Sequence, residues 1–166
     1  MKLNKDCKIE KVCGNDKLDC NHPSLWQPYL KGHTLMASNG QVAVFIRVER
    51  NLTDTNGPVP IEAIKASRKK ESGGYIMLNG MAEIMNGPSY PRPTDMKFPN
   101  VGNVIPRHPA SFTIRLNPYL LAEVAEALGV DRREGVTLEF IKPEDVFRID
   151  WNKENKAVMM PMTSKK

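Results

Sequence analysis

Two amphipathic helical patterns, each preceded and followed by strand-like segments, constrain the fold of this 166-residue chain more than any other feature. Val59 to Met85 predicts strand, helix, strand, strand, and Phe112 to Met162 predicts strand, helix and three strands. The residues before position 50 resemble the strands of one more such unit, without a clear helix. Units that recur every ~45–50 residues indicate a duplicated architecture. The expected fold class is α+β, with two main helices packed on antiparallel sheet.

Both predicted helices carry boundary signals. The first covers Pro60 to Lys70 and has proline at its first turn. The second covers Tyr119 to Leu128, follows an N-cap at Asn117 with Pro118 at its first position, and ends at Gly129. Each is long enough to cover one face of a small sheet.

The strand predictions rest on alternation and turn signals. Asn39-Gly40 predicts a hairpin between His33–Ser38 and Gln41–Val48, and the first half of the second strand is apolar enough to be buried on both faces. Cys7–Cys13 alternates apolar and charged residues, which suits a half-buried strand or a short helix. Six prolines between Pro88 and Pro109 predict an extended connector. Further strands are predicted at Tyr75–Leu78, Met81–Met85, Ser111–Leu116, Val136–Ile141, Val146–Trp151 and Ala157–Met162.

Charge and composition leave the class of partner open. Lys and Arg number 24 against 19 Asp and Glu, and this surplus permits a polyanionic partner without requiring one. The longest apolar run, Gln41–Ile46, is far shorter than the ~18 residues of a membrane-spanning helix. The start of the chain lacks the apolar stretch of a secretory signal, so we expect a cytoplasmic protein.

No motif in the chain indicates catalysis. Cys7, Cys13 and Cys20 cannot all pair with one another, and together with His22 their spacing matches no familiar zinc loop. We therefore expect free thiols and no metal or other cofactor. The histidines are scattered, and phosphate-loop and dinucleotide-binding motifs are absent. The chain is not expected to be an enzyme.

Four stretches resemble the bacterial sliding clamp family, the beta subunit of DNA polymerase III. In the order of that family they are TLMASNGQVA from residue 34, VPIEAI from residue 59, KFPNVGNVIP from residue 97 and AVMMPM from residue 157. The resemblance implies a DNA-clamp-like fold, and the small size of the chain suggests a phage-like version of the family. It implies a single clamp-like domain, 1–166, with units at 1–50, 58–96 and 111–162 and a connector at 97–110. A chain of this size would complete a ring only as a higher homo-oligomer, and partial rings, dimers and a monomer are open alternatives.

The resemblance also implies a hydrophobic pocket in which clamps capture short peptides of polymerases and repair factors. The matching positions are Ser38, Gly40, Val42, Val158, Met160, Pro161 and Met162. Methionine suits such a pocket because it is unbranched and polarizable. A pocket must leave Met160 or Met162 partly exposed, whereas a strand that closes the core would bury both. The family's hairpin His-Arg-Leu is Gln41-Val42-Ala43 here and its terminal arginine is Thr163, so its peptide specificity is not carried over.

Basic residues on the first helix, and two arginines just beyond the second, predict contacts with DNA phosphates, which are independent of base sequence. The candidates are Lys65, Arg68, Lys69, Lys70, Arg132 and Arg133. The alternative interpretation is the solvated charged face that any soluble helix needs, and the second helix carries only Glu123 and Glu126. The expected function is a sliding-clamp-like replication or processivity factor that binds duplex DNA and tethers partner proteins. The alternative is a clamp-fold adaptor or competitor that binds peptides without a ring or a DNA role.

Overall fold

A computed structural model describes residues 1–14, 22–94, 96–99, 110–131, 134–151 and 156–162. The chain divides into two compact units, Met1–Ile105 and Pro106–Lys166. The described residues contain two α-helices and ten β-strands in three antiparallel sheets, so the predicted α+β class is confirmed.

The first unit contains two sheets, each covered by one helical element. The first sheet has the order β3-β2-β1-β4, and the second has the order β5-β6-β7. A 3-10 helix, Ile9–Val12, packs on β2 and β3, and helix α1, Ile61–Ser67, packs on β5, β6 and β7. Two more 3-10 helices cover Pro23–Leu25 and Lys70–Ser72. The strands are β1 (Tyr29–Lys31), β2 (Thr34–Ser38), β3 (Ala43–Arg47), β4 (Gly57–Pro58), β5 (Ile76–Leu78), β6 (Met81–Ile84) and β7 (Ser89–Pro91).

The first unit is built from two repeats of the same order, a leading segment, a helical element and three strands. Each repeat adds its leading segment to the sheet of the other. β4, which leads into α1, pairs antiparallel with β1, with Gly57 opposite Leu30. The N-terminal segment leads into the 3-10 helix Ile9–Val12 and pairs with the second repeat, where the Ile76 N–H donates to the Met1 carbonyl at 2.9 Å. The two repeats therefore exchange leading segments reciprocally.

Gly74 lies where the N-terminal segment passes closest to the second repeat. The Leu3 N–H donates to the Gly74 carbonyl at 3.0 Å, and Gly74 has a φ of +87°. A Cβ atom at this position would lie 2.3 Å from the Leu3 carbonyl oxygen. Glycine is therefore required here both by the backbone conformation and by the space available.

One continuous hydrophobic core joins both repeats of the first unit. Its fully buried side chains include Leu30 and Leu35 from the first sheet and Ile76 and Leu78 from the second, with Ile64 of α1 between helix and sheet. Because the core draws on both repeats, neither repeat would bury its apolar face alone.

The second unit contains a single repeat of the same order. An extended segment, residues 111–116, leads into helix α2, Pro118–Ala127, and then into β8 (Thr137–Glu139), β9 (Phe147–Asp150) and β10 (Lys156–Met159). The sheet order is β10-β9-β8. Its core has three buried residues, Phe147, Ile149 and Met159, among the residues described. α2 has no fully buried residue, whereas α1 has four.

The helix predictions are confirmed with small changes at their ends. The Asn117 side chain caps α2 by accepting from the Tyr119 N–H at 3.0 Å, and Gly129 has a φ of +73° just beyond the helix. The Asn39-Gly40 hairpin between β2 and β3 is also confirmed. Of the two alternatives for residues 7–13, the structure has the short helix, Ile9–Val12.

Three sequence expectations were wrong. The first half of the 41–48 strand is not buried on both faces, because Gln41 and Val42 are exposed before β3 begins at Ala43, and β3 is an edge strand. The predicted connector contains a strand, β7, whose Pro91 is tolerated at the edge of its sheet. Residues 111–116 do not form a strand, because their one described backbone bond outside α2 runs from the Met162 N–H to the Arg115 carbonyl at 2.7 Å.

Candidate nucleic-acid interface and partner pocket

Helix α1 presents part of the predicted basic face to solvent. Its apolar side, with Ala63 and Ile64 fully buried, packs on the second sheet. Lys65 and Lys69 are exposed. Lys65 lies in the last turn of α1, and Lys69 follows the C-cap residue and donates its N–H to the Ala66 carbonyl at 3.2 Å. These two ammonium groups are the predicted DNA contacts that the structure places on the surface of the first unit.

Arg68 is partly buried against the 3-10 helix Ile9–Val12. Its guanidinium donates to both carboxylate oxygens of Glu10, at 2.7 Å for Oε1, and Nε donates to the Cys7 carbonyl at 3.0 Å. The bond to Glu10 raises the pKa of Arg68 further. Burial alone would raise the pKa of Glu10, but the bond from Arg68, a backbone hydrogen bond and the charges of Arg68 and Lys65 together outweigh burial, so the net pKa is lowered. Arg68 therefore joins the two helical elements.

We expect Arg68→Ala to lower the free energy of unfolding by about 1.5–3 kcal/mol, the range for hydrogen bonds to charged groups. Lys69→Ala, on the exposed side of the same turn, should change it by no more than about 0.5 kcal/mol. Urea denaturation followed by Trp26 fluorescence in a Trp151→Phe background would compare the two variants. Equal stability of both would contradict the joining role of Arg68.

The exposed lysines of the 3-10 helix are basic residues that the sequence interpretation missed. Lys11 within this helix and Lys8 at its N-cap are both exposed. The Arg68–Glu10 bond fixes this helix beside α1. The alternation of apolar and charged residues over positions 7–13 indicated this element, but it favoured a strand as much as a helix.

Three of the other predicted DNA contacts are not described by the structure. Arg132, Arg133 and the side chain of Lys70 lie outside the described residues. On α2, Glu123 and Glu126 are exposed and form an acidic surface. The basic face is therefore described for the first unit alone.

The hairpin half of the predicted pocket is a tightly bonded turn in the first unit. Ser38 is buried, and its Oγ accepts from the Gly40 N–H at 3.1 Å. Asn39 Oδ1 accepts from the N–H groups of Gln41 at 3.0 Å and Val42 at 2.8 Å. These bonds fix the turn and leave the Val42 side chain exposed.

The C-terminal half of the predicted pocket is an apolar surface in the second unit. Val158 is 69% exposed, Met160 64% and Met162 47%, while Pro161 is partly buried. Met159 points the other way into the core, as expected for alternating strand residues. The exposure that a peptide pocket requires of Met160 and Met162 is present.

A cavity of about 240 Å³ lies on the same sheet surface. Ile141, Val146 and Val158 form its apolar wall. Arg148 lies at its polar side, where it pairs with Glu139. Arg148 also pairs with Asp150 at 2.8 Å, so its charge is already matched by two carboxylates, and the recess suits an apolar side chain rather than an anionic ligand.

A groove of about 610 Å³ at the start of the chain has no counterpart in the sequence interpretation. It is lined by Lys2, Lys5 and Arg47 and by the carboxylates of Asp6 and Glu49. Lys2 Nζ lies 4.0 Å from Glu49 and 5.3 Å from the centre of the Tyr75 ring. Its mixed charge gives no preference for an anion.

The cysteines form no described metal site. Cys13 is buried, and burial together with the nearby Glu10 carboxylate raises its pKa to about 12. Cys20 lies outside the described residues, and no cluster of three possible metal ligands occurs among those described. Within the described ranges, no helix is long and apolar enough to cross a bilayer.

Comparisons with protein-family models, curated proteins and solved structures found no match for this chain.

Proposed function

We propose that the chain is a non-catalytic, sliding-clamp-like factor that binds duplex DNA without sequence preference and tethers replication or repair proteins in the cytoplasm. The clamp-like fold is part of this proposal. The observation that carries it is the reciprocal exchange of leading segments between two repeats in Met1–Ile105. That pairing brings both helical elements of the unit together through Arg68 and Glu10.

The charges of the helical elements support a phosphate-binding face. Exposed Lys65 of α1 and Lys69 just after its C-cap, with Lys11 of the neighbouring 3-10 helix and Lys8 at that helix's N-cap, provide four ammonium groups that no described ion pair neutralises. Lysine binds phosphate as a point charge on a flexible stem, so it holds DNA without reading bases. Such contacts allow movement along the duplex.

Charge reversal on α1 tests this proposal. Lys65→Glu/Lys69→Glu should weaken binding to a fluorescent duplex by about tenfold or more at low salt, because two phosphate contacts become repulsive. The slope of log affinity against log salt should also become shallower by about 2. Fluorescence anisotropy with two unrelated duplex sequences would measure both effects.

The matched control is Lys31→Glu/Lys142→Glu, which makes the same change in net charge at two other exposed lysines. It should retain most of the affinity. Equal weakening by both double variants would mean that net charge, and not the α1 face, determines binding. No binding by the unaltered protein at low salt would contradict the DNA role itself.

The exposed methionines favour a second candidate function, that of a peptide-binding adaptor without a DNA role. Val158, Met160 and Met162 present unbranched or small apolar side chains at the surface, where an extended peptide can bury them. In this alternative the protein uses the partner pocket alone. The two functions share the peptide site and differ in DNA binding.

Met160→Ala should weaken binding of a peptide that carries the clamp-binding motif of a bacterial replicative polymerase by about fivefold to thirtyfold, since one well-packed apolar contact is worth about 1–2 kcal/mol. Calorimetric titration would measure this. Met77→Ala, at another exposed methionine in the first unit, is the control and should bind the peptide normally. Unchanged affinity in Met160→Ala would remove this surface from the site.

A further inference from the structure

The second unit contains one repeat, whereas the first unit contains two repeats that complete each other's sheets. In the first unit, β1 pairs on one side with β2 and on the other with β4, the leading segment of the other repeat. In the second unit, β8 pairs with β9 on one side, and its other edge has no partner strand among the described residues. An open edge of this kind is a template for strand addition.

The leading segment of the second unit also lacks a partner strand among the described residues. Residues 111–116 alternate as a strand does, yet they make no ladder with any described strand. Their Arg115 carbonyl accepts from the Met162 N–H, and in the first repeat the Lys2 N–H donates to the Glu49 carbonyl. The two bonds differ in direction, but both join a leading segment to residues after the third strand. Pairing with a second repeat is what the described part of the second unit lacks.

The helix of the second unit also lacks the cover that its counterpart has. Tyr119 and Leu120 of α2 and Phe112 of the leading segment are exposed. Leu138 of β8 is only partly buried, whereas Leu30 at the corresponding place in β1 is fully buried. A second repeat placed as in the first unit would cover these apolar groups.

We propose that two copies of this chain associate through their second units, each adding residues 111–116 to the β8 edge of the other. The occupant of the open edge is a second copy, because the first unit shows that repeats of this type complete one another by mutual exchange of leading segments. Two identical repeats can make the same exchange about a twofold axis, which gives a closed, self-complementary interface. The inference rests on strand pairing and is independent of DNA binding.

The first unit also defines the register of this pairing. The leading segment of the second repeat places Gly57 opposite Leu30, four residues before the first residue of α1. The residue four before the start of α2 is Ile114, and Leu138 occupies the place of Leu30 in the central row of its sheet. Ile114 should therefore lie opposite Leu138 of the second copy, and Thr113 opposite its Glu139.

A cysteine pair at these positions tests both the interface and its register. Thr113 and Glu139 are exposed, so Thr113→Cys/Glu139→Cys should leave each copy folded. Oxidation of the full chain should give a covalent dimer in which peptide mapping finds the introduced thiol at position 113 of one copy linked to that at position 139 of the other. Thr113→Cys/Thr137→Cys, displaced by two residues along β8, is the control and should cross-link at least about tenfold more slowly, because diagonal positions lie ~7–8 Å apart.

Light scattering on the unaltered protein should give a concentration-dependent mass that approaches twice the chain mass of 18.7 kDa. The Lys65→Glu/Lys69→Glu variant should cross-link normally, so failure of DNA binding and failure of this interface are distinguishable. A monomer at every concentration, a cross-link within one chain, or a dimer linked equally well by both cysteine pairs would each overturn the proposal.

Discussion

Replacing Asp54 with alanine is expected to lower the free energy of unfolding of the first unit by about 3–5 kcal/mol, the cost of removing one partner from a buried ion pair. Asp54 Oδ2 accepts from the Met1 ammonium at 2.5 Å and from the Asn51 N–H at 2.8 Å. Oδ1 accepts from the Leu78 N–H at 3.0 Å. The alanine variant leaves the ammonium and both amides without this acceptor in the core.

The Asp54 contribution should also depend on pH. Burial alone would raise the pKa of Asp54, but the bonds from the Met1 ammonium and the two amides outweigh it, and the net pKa is lowered. An unfolded aspartate titrates near pH ~4. The stabilisation is therefore fully present above about pH 4 and is lost as the pH falls through the lower pKa of the folded state.

Denaturation monitored by Trp26 fluorescence, in a Trp151→Phe background, would report on the first unit alone. Asp6→Ala removes an exposed carboxylate from the same unit and should change stability by no more than about 0.5 kcal/mol. If Asp54→Ala and Asp6→Ala have the same stability at pH 7, or if the Asp54 effect does not shrink below pH 4, the buried pair does not stabilise the unit.

Phe147→Ala is expected to unfold the second unit while the first unit stays folded. Phe147 is fully buried, and its ring packs on Phe140 with the centroids 4.6 Å apart. Truncation of a buried phenylalanine costs about 3–5 kcal/mol. A core with so few buried residues supplies no more than about 3–5 kcal/mol of stability, so the free energy of unfolding of the variant unit should fall to about zero.

Trp151 fluorescence in a Trp26→Phe background would follow the second unit. Val146→Ala, the neighbouring position with its side chain partly exposed, is the control and should remain folded. We expect the Phe147 variant to lose cooperative unfolding at Trp151 and to keep it at Trp26. Loss of cooperativity at both tryptophans would contradict the division of the chain into two units that unfold separately.

Much of the fold was predictable because its signals are local. The Asn39-Gly40 turn and the Asn117, Pro118 and Gly129 boundaries of α2 each depend on residues a few positions apart, and all are present. The 111–116 strand was wrong for the opposite reason. Alternation shows that a segment can pair, but only a partner strand makes it a strand.

The candidate sites were less predictable because exposure and pairing depend on distant residues. Lys65 and Arg68 look alike on a helical projection, yet Arg68 is partly buried and pairs with Glu10, 58 residues away in sequence. The exposure of Met160 and the burial of Met159 follow from which face of β10 packs on the core. Strand alternation predicts that the two differ, but it does not predict which one faces outward.

The most direct test of a DNA-binding clamp-like face is to map where a duplex contacts the protein. Backbone amide signals in an NMR titration with a short duplex should shift mainly at residues 8–13 and 61–69, and the same residues should shift with a duplex of unrelated sequence. The Lys65→Glu/Lys69→Glu variant should lose these shifts. Shifts confined to strands β2 and β3, or shifts that depend on the base sequence, would contradict a sequence-independent DNA-binding face at these helical elements.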